Sequence, residues 1–259
     1  MLTRILTGVI LAPLVILLFI FGPEWSKAAL VIVAGALCLA ELYAMAMPER
    51  QLERWVGVAL GAALMTSMWL APESDVGDWW PALVLPALVV VMRPDPIDRA
   101  AFRLFALWAG VVYVVVPFSY GVSLAIETKP WILYVLAVVW GGDTAAYFAG
   151  RALGKHKLHP KVSPKKTVEG AVGGLVGSLG VGFLMVALLD LPLPAWKTAL
   201  FAVVGGALAQ LGDLAESLVK RACGVKDSGT LLPGHGGMLD RVDGVIFAFP
   251  FFAWALALP

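Results

Sequence analysis

Charge is what this chain has least of. Asp, Glu, Lys and Arg make up 14% of its 259 residues, where an ordinary soluble domain carries about 25%. That scarcity, with 60% hydrophobic residues and a mean hydropathy of +0.87, excludes a soluble globular fold and points to a polytopic membrane protein. Cysteine is nearly absent. Cys38 lies in an apolar run and Cys223 in a charged loop, so no disulfide framework is expected. The first apolar run, 5–21, is followed by Pro23-Glu24-Trp25 and by no small-x-small cleavage site. It reads as a first transmembrane helix and not as a secretory signal. There is no internal repeat, no low-complexity tail and no room for a sizeable soluble domain. A net charge of +1 gives no reason to expect a nucleic-acid partner.

What is present is hydrocarbon in helix-length pieces. Apolar runs lie near 5–21, 28–47, 54–71, 80–92, 101–117, 131–149, 168–190, 197–219 and 242–258. A spanning helix needs roughly 20 residues, so the expected fold is all-α with about nine transmembrane helices. The fourth run is short, and the fifth can extend past Pro117 towards Ile126. Residues 1–130 are expected to form N-terminal transmembrane helices. Residues 131–259 are expected to form a catalytic region with cytoplasmic loops at 150–167 and 220–241. With the N-terminus in the cytoplasm, alternation leaves only Lys27, Lys129 and Lys197 of the 19 Lys and Arg outside. The positive-inside rule therefore supports that orientation and places both large charged loops on one side.

Dense charge between apolar helices marks a site, because charge is costly there. The stretch Ser217–Asp243 holds Lys220-Arg221, Lys226-Asp227, Asp240-Arg241 and Asp243 around Pro233-Gly234-His235-Gly236-Gly237. Asp143 and Asp213 each lie about seven residues before the cytoplasmic end of their helix, roughly 10 Å deep. Asp240 and Asp243 open the last helix at an i, i+3 spacing that can share a face, and Glu216 has the same relation to Asp213. Four carboxylates at comparable depth suit a divalent cation. Glu41 stands apart, alone in the second run, and reads as a packing or hydrogen-bonding residue inside the bundle.

The loop Arg151–Thr167 adds six cations and two histidines. Ser163 or Thr167 can cap the following helix, whose N-terminus favours an anion. Lys165 and Lys166 can clamp a triphosphate or a lipid phosphate. Loop histidines such as His156 and His159 are seldom metal ligands. The spacings Gly170/Gly174 and Gly173/Gly177 suit tight helix contact. Gly234, Gly236 and Gly237 stand where backbone amides can meet phosphate oxygens.

The segment Ser217–Asp243, with Asp143-Thr-Ala-Ala-Tyr147, Gly150-Arg151, Ser163-Pro-Lys-Lys-Thr167 and Glu169-Gly170, resembles the phosphatidate cytidylyltransferases, the CDP-diacylglycerol synthases. The resemblance covers about 140–243 in motif, and the earlier helices only in hydropathy. It implies transfer of a cytidylyl group from CTP to phosphatidic acid with Mg²⁺, a second metal or a monovalent cation being compatible. It implies Asp143, Asp213, Asp240 and Asp243 as metal residues. Lys220, Arg221, Lys226, Asp227, Arg241, Gly236 and Gly237 would meet phosphates, with Ser163, Lys165, Lys166 and Thr167 on the triphosphate or headgroup. His235 would orient a phosphate or carry a proton. A homodimer and a bacterial inner membrane fit the resemblance. The rival readings are a related CTP-dependent lipid nucleotidyltransferase or lipid kinase, and an ion-coupled transporter; the last lacks the inverted repeats it would need.

Overall fold

The computed structural model describes residues 13–71, 79–231 and 236–258. Arg4, Glu73, Asp75, Asp78 and His235 lie outside the described residues. The described chain forms nine helices: α1 (13–21), α2 (Glu24–Ala46), α3 (Gln51–Leu70), α4 (Pro81–Met92), α5 (Ile97–Ile126), α6 (Trp131–Leu153), α7 (Val168–Leu188), α8 (Ala195–Ala222) and α9 (Leu239–Leu256). The all-α membrane architecture expected from hydropathy is present. Five helices, α2, α5, α6, α7 and α8, are long and apolar enough to cross a bilayer. At 12 residues, α4 falls short of the roughly 17 a span requires. The fifth run does continue through Pro117. One π-helical turn, Val111–Val115, precedes that proline, whose ring has no N–H for the Tyr113 carbonyl; the widened turn accommodates the lost bond.

The chain divides into two compact units. Unit 1 holds Met1–Ile126 and Asp227–Arg241. Its core is built by Leu39, Tyr43, Met65, Leu107, Val114 and Phe118, all buried. The Tyr43 hydroxyl donates to the Leu107 carbonyl at 3.0 Å, which ties α2 to α5. Arg103, expected in a cytoplasmic segment, is 3% exposed on α5. It pairs with Glu53 at 2.5 Å and donates to the carbonyls of Arg93 and Pro94 at 3.0 and 2.8 Å. A guanidinium withdrawn from water needs such partners, and here it pins the α4–α5 connection.

Unit 2 holds Glu127–Lys226 and Val242–Pro259. Its closest packing joins α6 and α7, and the glycines of α7 permit it. A Cβ on Gly173 would stand 2.3 Å from the Ala149 Cβ, and one on Gly177 would stand 2.2 Å from the Ala145 Cβ. Ser178 donates to the Val138 carbonyl at 3.0 Å, and Gln210 of α8 donates to the Ala171 carbonyl at 3.0 Å. The opposite side of α7 shows Val168, Val172, Val176 and Phe183 to the surroundings, a stripe suited to lipid and not to water.

The basic loop before α7 is more ordered than an all-helical reading allows. It folds as an antiparallel hairpin, β1 (Lys157–His159) and β2 (Ser163–Thr167), with Lys157 opposite Thr167 and His159 opposite Ser163. Glu169, in the first turn of α7, accepts from the Lys155 and His156 amides at 3.1 and 3.2 Å and meets His156 Nδ1 at 2.6 Å. The hairpin is thereby fastened to the helix that follows it. Thr167 is the N-cap of α7, its Oγ1 accepting from the Gly170 amide at 3.1 Å.

Candidate active site

Within unit 2, Asp143 comes from α6, Asp213 and Glu216 from α8, and Asp243 from α9. The helices end later than hydropathy suggests, at Leu153 and Ala222. Asp143 and Asp213 then lie roughly 15 and 14 Å from those ends, still at matched depth. The carboxylates of Asp143, Asp213 and Asp243 stand within electrostatic range of one another, and Glu216 within range of Asp243. Lys166 Nζ reaches Asp213 Oδ2 at 2.7 Å. Lys220 pairs with the fully buried Glu216 one turn earlier on α8.

Period-two alternation along β2 separates the two neighbouring lysines. Lys166 turns inward to Asp213 and Lys165 stays exposed. Ser163 is half-buried at the start of the strand, and Thr167 is buried as the cap. Lys220, expected at a phosphate, has its ammonium on Glu216. Arg221 is exposed and donates to the Val225 carbonyl at 3.0 Å, closing the end of α8. Lys226, Asp227 and Arg241 are exposed.

Four acids in this group have two ammonium partners among the described contacts, Lys166 and Lys220. Carboxylate oxygens are the donors Mg²⁺ prefers. Among the described residues no three acidic, imidazole or thiol side chains converge as a finished ligand set. Lys166 holds the Asp213 oxygen instead. The residues therefore fit the ion in donor type, and ligation requires side-chain rotation at Asp213.

The signature segment in unit 1 is organised by two carboxylates. Asp240 Oδ2 accepts from the Ser228 amide and hydroxyl, each at 2.9 Å, and from the Gly237 amide at 2.8 Å. Glu41 accepts from the Met238 and Leu239 amides at 2.8 Å and meets the Ser228 hydroxyl at 2.9 Å. Gly236 adopts φ +81°, a left-handed conformation that favours glycine. The Gly237 amide, expected at a phosphate, is given to Asp240. Sequence reasoning kept Glu41 out of the site. Its one signal was a carboxylate alone in hydrocarbon, and its partners lie 187 to 198 residues away.

Known proteins extend the match over the whole chain. The phosphatidate cytidylyltransferase of Staphylococcus epidermidis is 36% identical over 245 residues, covering 91% of this chain and 94% of that protein. The enzyme of the same name from Bacillus subtilis is 34% identical over 270 residues, covering 98% and 97%. That of Staphylococcus haemolyticus is 40% identical over 197 residues, covering 73% and 75%. A model described as the Cytidylyltransferase family matches residues 2–258, nearly the full length, and the chain belongs to that family.

Proposed function

We propose that this protein transfers a cytidylyl group from CTP to phosphatidic acid, releasing pyrophosphate and forming CDP-diacylglycerol for phospholipid synthesis. The observation that carries the reading is the convergence of Asp143, Asp213 and Asp243 beside Lys166, in a chain whose full-length relatives bear that enzyme's name. A phosphate oxygen of phosphatidic acid attacks the α-phosphorus of CTP, and the bond from that phosphorus to the bridging oxygen breaks as pyrophosphate leaves. Both reactants are polyanions, so the chain must screen their repulsion and stabilise charge on the transferring group. No covalent nucleophile is required.

Asp213 and Asp243, with Asp143, would hold Mg²⁺, which supplies charge neutralisation at the transferring phosphorus and the leaving pyrophosphate. Lys166 exchanges its Asp213 partner for a triphosphate oxygen. Lys165, Arg221, Lys226 and Arg241 are exposed, and their charge suits the phosphates of CTP or of the lipid. Asp240, through Oδ2, keeps the signature turn closed. The charge asymmetry of the sequence supports a site open to the cytoplasm, and the bacterial relatives support a bacterial inner membrane. A dimer belongs to the proposal on family resemblance alone.

Purified protein in detergent, given labelled CTP and phosphatidic acid, is expected to form CDP-diacylglycerol with Mg²⁺ and none with EDTA. Turnover that survives EDTA would remove the metal assignment, and no product from folded protein would remove the reaction. Lys166→Met is expected to lower kcat/KM for CTP by about 10- to 100-fold, the worth of a charge-assisted contact. An unchanged CTP dependence would take Lys166 out of the substrate site.

A further inference from the structure

We propose that Glu41 is a positioning residue for cytidylyl transfer, acting from α2 through the turn that opens α9. The inference rests on the function proposed above. The Met238 and Leu239 amides are at the start of α9, where a helix has no carbonyls of its own to accept from its first N–H groups. Glu41 supplies both acceptors, one oxygen to each amide at 2.8 Å. A carboxylate there also meets the positive end of the helix dipole. A charge set in an apolar helix is costly unless it is fully hydrogen-bonded, and these donors offset that cost.

The Ser228 hydroxyl stands 2.9 Å from Glu41 Oε2 and 2.9 Å from Asp240 Oδ2. Its single proton is shared between two acids, so the position of one carboxylate sets the other. Glycine occupies the three places where this arrangement leaves no room. A Cβ on Gly229 would lie 2.8 Å from Glu41 Oε1, one on Gly236 2.5 Å from Asp240 Oδ2, and one on Gly237 2.3 Å from Glu41 Oε2. The Gly-Gly pair of the signature is therefore shaped by these carboxylates. Asp240 and Arg241 follow within the first turn of α9, and Asp243 comes three residues after Asp240 on the same helix. Glu41 touches none of the reacting groups; it sets where the helix that carries them begins.

The test uses full-length protein in detergent and compares wild type, Glu41→Gln and Ser228→Ala. The readouts are kcat and KM for CTP, thermal melting, and amide hydrogen exchange across 228–239. Glutamine keeps the size but turns one acceptor into a donor facing an N–H. Glu41→Gln is expected to lower kcat by about 100-fold, the scale of a small misplacement of reacting groups, with KM for CTP unchanged. Exchange should accelerate at 228–239 and not along α6–α8. Ser228→Ala should give the same pattern at smaller amplitude. Wild-type kcat in Glu41→Gln overturns the proposal, as does a loss accompanied by faster exchange throughout, which describes a merely structural residue. If Glu41→Gln does not fold, Ser228→Ala decides: unchanged kcat overturns the proposal. Failure of the enzymatic reading is separable, because wild type itself would then form no CDP-diacylglycerol. The exchange of 228–239 would still report whether Glu41 holds the turn, and an unchanged rate in Glu41→Gln would overturn that too.

Discussion

Asp243→Asn is expected to cut kcat by about 1,000-fold while the protein still inserts and folds. Asparagine has nearly the shape of aspartate. Its carbonyl oxygen can keep the Gly244 amide contact, now 2.8 Å. What disappears is one ionisable carboxyl in a group where Asp213, Glu216 and Asp143 already act on it. Relief of that repulsion should leave the melting temperature in EDTA unchanged or raised. The protection that Mg²⁺ gives against melting should shrink, because a ligand stabilises only as far as it binds the folded state. Steady-state kinetics and melting curves with and without Mg²⁺ check both arms. Full turnover in the variant, or undiminished Mg²⁺ protection, would take Asp243 out of the metal centre.

The second large effect is expected at the α6–α7 contact. Gly177→Val should destabilise the protein by about 1–3 kcal/mol, the usual cost of overpacking, and lower activity by about 100-fold. The new Cβ would stand 2.2 Å from that of Ala145, an atom attached directly to backbone, so one helix must yield. Ala145 is two residues from Asp143, and displacement of α6 there carries the carboxylate with it. Gly180 supplies the control. It lies one turn further along α7, and a Cβ there meets nothing within 4 Å. Gly180→Ala should leave turnover intact and melting unchanged or slightly raised, since glycine is a poor helix former. Equal responses at the two positions, read by melting and turnover, would refute the packing argument.

Much of this molecule is legible in its sequence because the membrane imposes simple rules. Hydrocarbon thickness sets helix length, and the cost of buried charge singles out Asp143, Asp213, Asp240 and Asp243. Both signals are local: α6, α7 and α8 lie where hydropathy put them, and Asp143, Asp213 and Asp243 fall in unit 2, whereas Asp240 is taken up in the signature turn of unit 1. The hairpin at Lys157–Thr167 was not legible, because Pro160 and Pro164 punctuate a strongly basic stretch that reads as loop. What orders it is the remote hold of Glu169 on the Lys155 and His156 amides. The segregation of Lys166 from Lys165 follows from that strand and was invisible without it. The burial of Arg103 was not legible for a related reason. Cation counting gave only its side of the membrane, and Glu53, which pairs with it, comes from another helix. Glu41 shows the limit most clearly, since nothing near residue 41 announces a partner at 238.

The order in which a ribosome delivers this chain gives the Glu41 clasp a further meaning. Unit 1 is interrupted: its first part ends at Ile126 and its closing segment arrives only at Asp227. Through the synthesis of the intervening hundred or so residues, which carry the three helices α6, α7 and α8, Glu41 waits without the amides it will accept from. A chain stalled before residue 238 therefore lacks the Met238 and Leu239 amides that the α2 carboxylate accepts from. The same dependence means that the C-terminal segment, expressed alone, would lack the acceptor that the Met238 and Leu239 amides find in Glu41.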